Sequence, residues 1–120
     1  METEKSNVSE RFRLNEFDHL KDLVAVSVAY LTHKESLKLP VGFLTNLELA
    51  LLNRATQMST QNVLDLAPLM TDFGSTEMYE CFDRILGNRI DELSPREILS
   101  AYVSFKTAQK AEIRPKILSL

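Results

Sequence analysis

A chain of 120 residues, 44% of them hydrophobic, with three Gly and four Pro, is sized for one domain with an ordinary core and is too poor in turn residues for a hairpin-rich sheet, so an all-α fold is expected. Its single cysteine excludes an internal disulfide framework and any cysteine-rich zinc site, and no apolar run reaches the roughly 20 residues that cross a bilayer. The formal charge of −3 is uneven, with seven Lys or Arg against thirteen Asp or Glu over residues 1–83 (−6) and seven against four over 84–120 (+3), and neither half has the cation density of a dedicated nucleic-acid binder.

Residues 1–14 are polar and aperiodic and read as a mobile N-terminal arm. Asn15 is placed to cap a first helix, with Asp18 in its first turn, where negative charge is favoured. Phe17, Leu20, Val24, Val28 and Leu31 then recur at helical spacing, and Leu23, Val26 and Tyr30 widen the apolar arc until it spans more than one side. Such a helix is buried on two faces, within the domain or against a partner. After a linker at 34–39, Pro40 suits the first turn of a second helix that runs through Phe43, Leu44, Leu47, Ala50 and Leu51 to about Thr56.

Ser59 caps a third helix with Val63, Leu66, Ala67, Met70 and Phe73 inward. Pro68 breaks or kinks it, and Gly74 sits where a left-handed residue would close it. Ser75 opens a fourth helix through Met78, Phe82 and Ile85, ending at Gly87 or Asn88. Ser94-Pro95-Arg96-Glu97 unites a Ser cap, Pro at the first helical position and Glu three residues beyond the cap, the strongest helix start in the chain. The inward face of that fifth helix is read as Ile98, Ala101, Tyr102, Phe105 and Ala108. Pro115 opens a sixth, with Ile117, Leu118 and Leu120 apolar, too short to stand alone and therefore expected to dock on helix five, to pair with another chain or to be cut from a longer repeat array.

The third and fifth helices are echoes of one another. Ser59-Thr60-Gln61-Asn62-Val63-Leu64 returns 35 residues later as Ser94-Pro95-Arg96-Glu97-Ile98-Leu99, and apolar residues match at Leu66/Ala101, Ala67/Tyr102, Met70/Phe105, Phe73/Ala108 and Phe82/Ile117. That period is the length of a helix pair, the unit of helical solenoids. The expected architecture is therefore about six helices in antiparallel pairs near 15–56, 59–89 and 94–120, stacked as a short α-solenoid or helical bundle in a single domain over 15–120.

With no Trp in the chain, the tetratricopeptide pattern is ruled out. Leu93-Ser94-Pro95-Arg96-Glu97-Ile98-Leu99, followed by Tyr102, Phe105 and Pro115-Lys116-Ile117-Leu118 and echoed by Met58 to Leu64, resembles the Ser-x-x-Glu-Leu and Pro-x-Leu-Leu rhythm of the repeats in FAST-kinase-like, heptatricopeptide and octotricopeptide proteins. The resemblance covers residues 58–120. It implies a mitochondrial or chloroplast setting in RNA processing, translation or ribosome assembly. The opening Met1-Glu2-Thr3-Glu4-Lys5 has neither signal-peptide nor transit-peptide character, so an intracellular protein is expected that either stays in the cytoplasm or has its targeting segment outside this sequence.

No constellation for chemistry emerges. His19 and His33 are separated by about 21 Å along one helix at 1.5 Å per residue, and neither can share a metal ion with the other. Cys81, beside core Phe82, reads as a structural thiol. Asp72, Glu77, Glu80 and Asp83 cluster around the fourth helix, where helix-terminal electrostatics accounts for the first two. No catalytic residue, metal or cofactor is expected. The stripe Ser100, Ser104 and Thr107 on helix five, with Arg96, Lys106, Lys110, Arg114 and Lys116 around it, forms the candidate contact surface for a protein partner or for RNA. The leading expectation is a non-enzymatic scaffold or adaptor subunit in a larger assembly, with self-association through helix one or the C-terminal helix as a further possibility. The alternative is a direct RNA-binding repeat, and a small helical enzyme or metal protein is third.

Overall fold

The computed structural model describes residues 19–109 and 115–119; the expected arm at 1–14, the caps at Asn15 and Asp18, and Lys110, Arg114 and Leu120 lie outside them. Five α-helices follow one another: α1 Leu20–His33, α2 Phe43–Asn53, α3 Thr60–Leu66, α4 Glu77–Gly87 and α5 Pro95–Ala108. Four 3-10 turns separate or extend them, at Ala55–Gln57, Ala67–Thr71, Ile90–Glu92 and Lys116–Ser119, and there is no strand among the described residues. The all-α expectation holds.

Several boundaries differ from those expected, each for a local reason. His19 is extended (φ −118°, ψ 131°), so α1 begins at Leu20. Pro40 does not open α2: its carbonyl accepts the Phe43 N–H at 3.1 Å, and the chain enters the helix through Gly42 at φ +86°, a left-handed conformation that glycine adopts without steric cost. Pro68 ends α3 as expected, but the chain tightens into the 3-10 turn Ala67–Thr71 and does not merely kink. Gly74 is not left-handed. Thr76, and not Ser75, precedes α4; the Ser75 oxygen accepts the Glu77 N–H at 3.4 Å, and its hydroxyl is engaged with both oxygens of the buried Glu48 carboxylate at 2.9 Å. At the C-terminal end, a 3-10 turn stands where a sixth helix was expected.

Packing runs from neighbour to neighbour. α1 lies on α2 and α3, α3 on α4, and α2 on α4; α5 packs along α3 and the 3-10 turn that continues it, and the Lys116–Ser119 turn docks on α4 and α5. The shared core contains Leu23, Leu47, Leu51, Val63, Leu66, Met70, Phe82 and Phe105, all fully buried. The Tyr79 ring meets Phe105 edge-on at 5.0 Å, and its hydroxyl donates to the Phe105 carbonyl at 3.3 Å. Ser27, which interrupts the apolar run of α1, is also fully buried and donates to the Leu23 carbonyl one turn back at 2.7 Å. The helix thereby supplies the partner that a buried hydroxyl requires.

The 35-residue echo extends into backbone conformation. Arg54 and Arg89, each preceded by Asn, leave their helices with φ/ψ of −109°/6° and −115°/12°. A 3-10 turn follows each, then Met58 at −75°/132° and Leu93 at −77°/136°, both buried. Ser59 and Ser94 follow at −76°/166° and −72°/160°, and both close capping boxes, with Asn62 and Glu97 reaching back to the cap N–H at 3.2 and 2.8 Å. Asn62 serves in place of Glu because its amide oxygen reaches the same N–H. The Arg89 guanidinium ties the second turn to the first, donating to the Met58 carbonyl at 3.0 Å and to the Thr60 hydroxyl at 3.2 Å.

Candidate interaction face

The capping box at Ser94 fixes the start of α5 and therefore which of its sides meets the core. Ala101 and Phe105 are fully buried, with Ile98 partly so. The opposite side carries Leu99 (62% exposed), Val103 (54%) and Tyr102 (40%). These three fall at steps of three and four residues and form one continuous strip on the helix. Tyr102 was expected inside and is not.

Arg96, Ser100, Lys106 and Thr107, all expected contacts, are exposed around this strip, while Ser104 is half-buried toward the packed side. The small-residue stripe is thus split between surface and edge. Lys116 is exposed but belongs to a different element, the C-terminal 3-10 turn, where its backbone N–H donates to Asp83 Oδ1 at 2.8 Å. Within α5 the only carboxylate is Glu97, and it is turned back to the Ser94 N–H. Arg96 and Lys106 form no ion pair among the described residues, which leaves the strip flanked by two uncompensated cations.

Comparison with the preceding repeat explains why this side is bare. Leu64 and Ala67, one period before Leu99 and Tyr102, are 9% and 0% exposed. They belong to α3 and the 3-10 turn that continues it, both of which α1 and α5 contact, whereas α5 is contacted by those two elements and the C-terminal turn. Pro68 and Thr71, one period before Val103 and Lys106, are exposed in both settings. An apolar centre at Leu99 and Tyr102 with a rim at Arg96, Val103 and Lys106 follows directly. The pairing of Ala67 with Tyr102 carried this information in the sequence, since a small core residue is replaced there by a large amphipathic one.

No protein-family model, curated protein or solved structure matches this chain.

The remaining candidates for chemistry are occupied structurally or kept apart. His19 and His33 are exposed at opposite ends of α1. Cys81 is buried, and that burial pushes its thiol up from the ordinary value, away from the thiolate a nucleophile requires. Among the described residues no three of His, Cys, Asp and Glu converge in a way that could hold a metal ion. Asp72 accepts the Tyr30 hydroxyl at 2.8 Å and pairs with Lys34 at 3.1 Å, tying the end of α1 to the 3-10 turn after α3. Tyr30 is pushed up to about 12, chiefly by burial and then by that bond to a carboxylate. A cleft of about 310 Å³ opens beside it, lined by Tyr30, Lys34, Leu39, Pro40, Gly42, Phe43, Leu44 and Thr45. Its one cation, Lys34, is the one already held by Asp72. No helix among the described residues is long and apolar enough to cross a membrane.

Proposed function

We propose that this chain is a non-enzymatic helical-repeat scaffold that holds a protein partner against the outer side of α5. The observation that carries the reading is the strip Leu99, Tyr102 and Val103, exposed on α5, where the residues 35 positions before Leu99 and Tyr102, namely Leu64 and Ala67, are buried. Exposed apolar surface rimmed by polar groups is the usual mark of a protein contact. Neighbour-to-neighbour packing and the two matching Ser-capped turns support a short α-solenoid, in which α1/α2, α3/α4 and α5 with the C-terminal turn are successive pairs. The resemblance of residues 58–120 to FAST-kinase-like and tricopeptide-type repeats adds an organellar assembly concerned with RNA as the setting.

Co-purification from the native source tests this. A double variant, Leu99→Ser with Tyr102→Ser, alters two exposed side chains and is expected to keep its helical circular dichroism while losing a partner that the unaltered chain recovers. Recovery of the same proteins by both would refute the reading. Arg96 and Lys106, unpaired on the same helix, favour direct RNA binding as a second reading. Phosphate contacts release counterions, so retention of single-stranded RNA would then fall steeply with added salt; salt-insensitive or absent retention removes this alternative.

A further inference from the structure

The scaffold reading leaves the chemistry of the occupant open, and the charges around the strip narrow it. Arg96 and Lys106 lie ten residues apart on the exposed side of α5, about 15 Å along the axis at 1.5 Å per residue, with Leu99 and Tyr102 between them. We propose, resting on the scaffold reading of α5, that the occupant is an amphipathic helix from a different protein, apolar along its centre and bearing carboxylates at both ends. The template for its seat is internal: Leu64, in α3, and Ala67, in the 3-10 turn that continues it, are buried in elements on which both α1 and α5 pack.

Electrostatics argues against a second copy of the chain as occupant. Two α5 helices paired face to face and parallel would oppose Arg96 to Arg96 and Lys106 to Lys106. An antiparallel pair would oppose Arg96 to Lys106 twice. Either arrangement brings like charges together around an apolar patch where water is being expelled, and like charges so placed disfavour association. A helix with Asp or Glu at each end meets both cations. RNA is the weaker fit, because only Tyr102 in the strip offers a ring to stack on or a hydroxyl to donate, while Leu99 and Val103 offer a base neither.

Binding of two synthetic helical peptides about four turns long, with the same Leu and Phe stripe but Glu at both ends in one and Lys in the other, distinguishes these occupants when followed by fluorescence anisotropy on the full chain. The Glu peptide is expected to bind at least about five-fold more tightly, from two exposed ion pairs, with the preference shrinking as salt is raised. Arg96→Glu with Lys106→Glu should reverse the order of the two peptides, and Leu99→Ser with Tyr102→Ser should weaken both about ten-fold or more. Equal binding of the two peptides, still lost in the Leu99/Tyr102 variant, would overturn the acidic occupant and leave the docking face standing. Sedimentation equilibrium that shows a dimer abolished by the Leu99/Tyr102 variant, or anisotropy in which oligouridine binds and neither peptide does, would likewise overturn it. Indifference of every ligand to the Leu99/Tyr102 variant would bring down the scaffold reading as well.

Discussion

Truncating Leu64 and Leu99 to alanine separates a covered end of the repeat from an open one. The two occupy the same position in successive Ser-capped helices, five residues after the cap, and differ in burial: 9% exposed for Leu64 and 62% for Leu99. A buried leucine cut to alanine costs about 2–5 kcal/mol, transfer and cavity together. Leu64→Ala should fall toward the lower half of that range, since Leu64 lies at the edge of the core. Leu99 shields little more than a third of its surface, so its loss costs under about 1 kcal/mol at about 1.5–3 kcal/mol for a whole side chain, and alanine's higher helix propensity offsets part of that. Urea unfolding followed by circular dichroism reads the difference: with a slope on the order of 1–3 kcal/mol/M, the Leu64→Ala midpoint drops by about 1–2 M and the Leu99→Ala midpoint by under about 0.5 M. Equal losses at the two positions would refute the inference that the outer side of α5 is bare in the free chain. Repeating the measurement at ten-fold higher protein concentration, where a self-associating chain gains stability, would show whether a second copy was the cover.

The other predictions concern the elements that hold this arrangement. Tyr30, raised to about 12 by burial and its bond to Asp72, keeps its proton in the folded chain after the unfolded chain has released it near pH 10. Stability is therefore intact below pH 10 and falls by about 2 kcal/mol between pH 10 and 12; thermal melts of Tyr30→Phe should lack that part of the alkaline loss. Gly42→Ala places a side chain at φ +86° with open space around it, so its cost is conformational, about 1 kcal/mol. Gly74→Ala, at a residue that is not left-handed and has equal room, should be neutral or raise the melting temperature. Ser94→Ala and Ser59→Ala each remove a cap bond to the N3 N–H, 3.2 and 3.1 Å long, and should each lower unfolding free energy by about 1 kcal/mol.

What could be read from the sequence depended on whether the determining interaction was local. The Ser94 cap, the Pro68 break and the end of α4 at Gly87 are decided within one turn of chain, and all three appear in the structure. Ser75 shows the opposite case. Its type and position suit a helix start, and its oxygen accepts the Glu77 N–H, but its hydroxyl is also given to Glu48, 27 residues earlier, and no local rule anticipates that long-range acceptor. Gly42 was passed over because Pro40 offered a more familiar helix start, although a glycine immediately before an apolar helical run is itself a signal for a left-handed approach. The candidate contact residues Arg96, Ser100, Lys106 and Thr107 were found on the exposed side through charge and polarity. Tyr102 falls within the inward face expected of this helix and Leu99 and Val103 outside it, but helical spacing alone does not say whether another helix remains to cover an apolar side chain.

Burial distinguishes the two Ser-capped segments, and the Arg89 clamp joins them. Its guanidinium, half-buried, spans from the second Ser-capped turn to the Met58 carbonyl and Thr60 hydroxyl of the first, so the end of α4 and the start of α3 are held in one geometry. Arg54 occupies the same place with the same backbone angles one period earlier. A planar fork can satisfy two acceptors at once, and lysine cannot reproduce that. Arg89→Lys should therefore loosen the junction between repeats more than its conserved charge suggests, with amide exchange in residues 55–62 accelerating while that within α1 does not. Uniform acceleration throughout the chain would mean that the stack opens as a single cooperative unit and that the clamp contributes only to global stability.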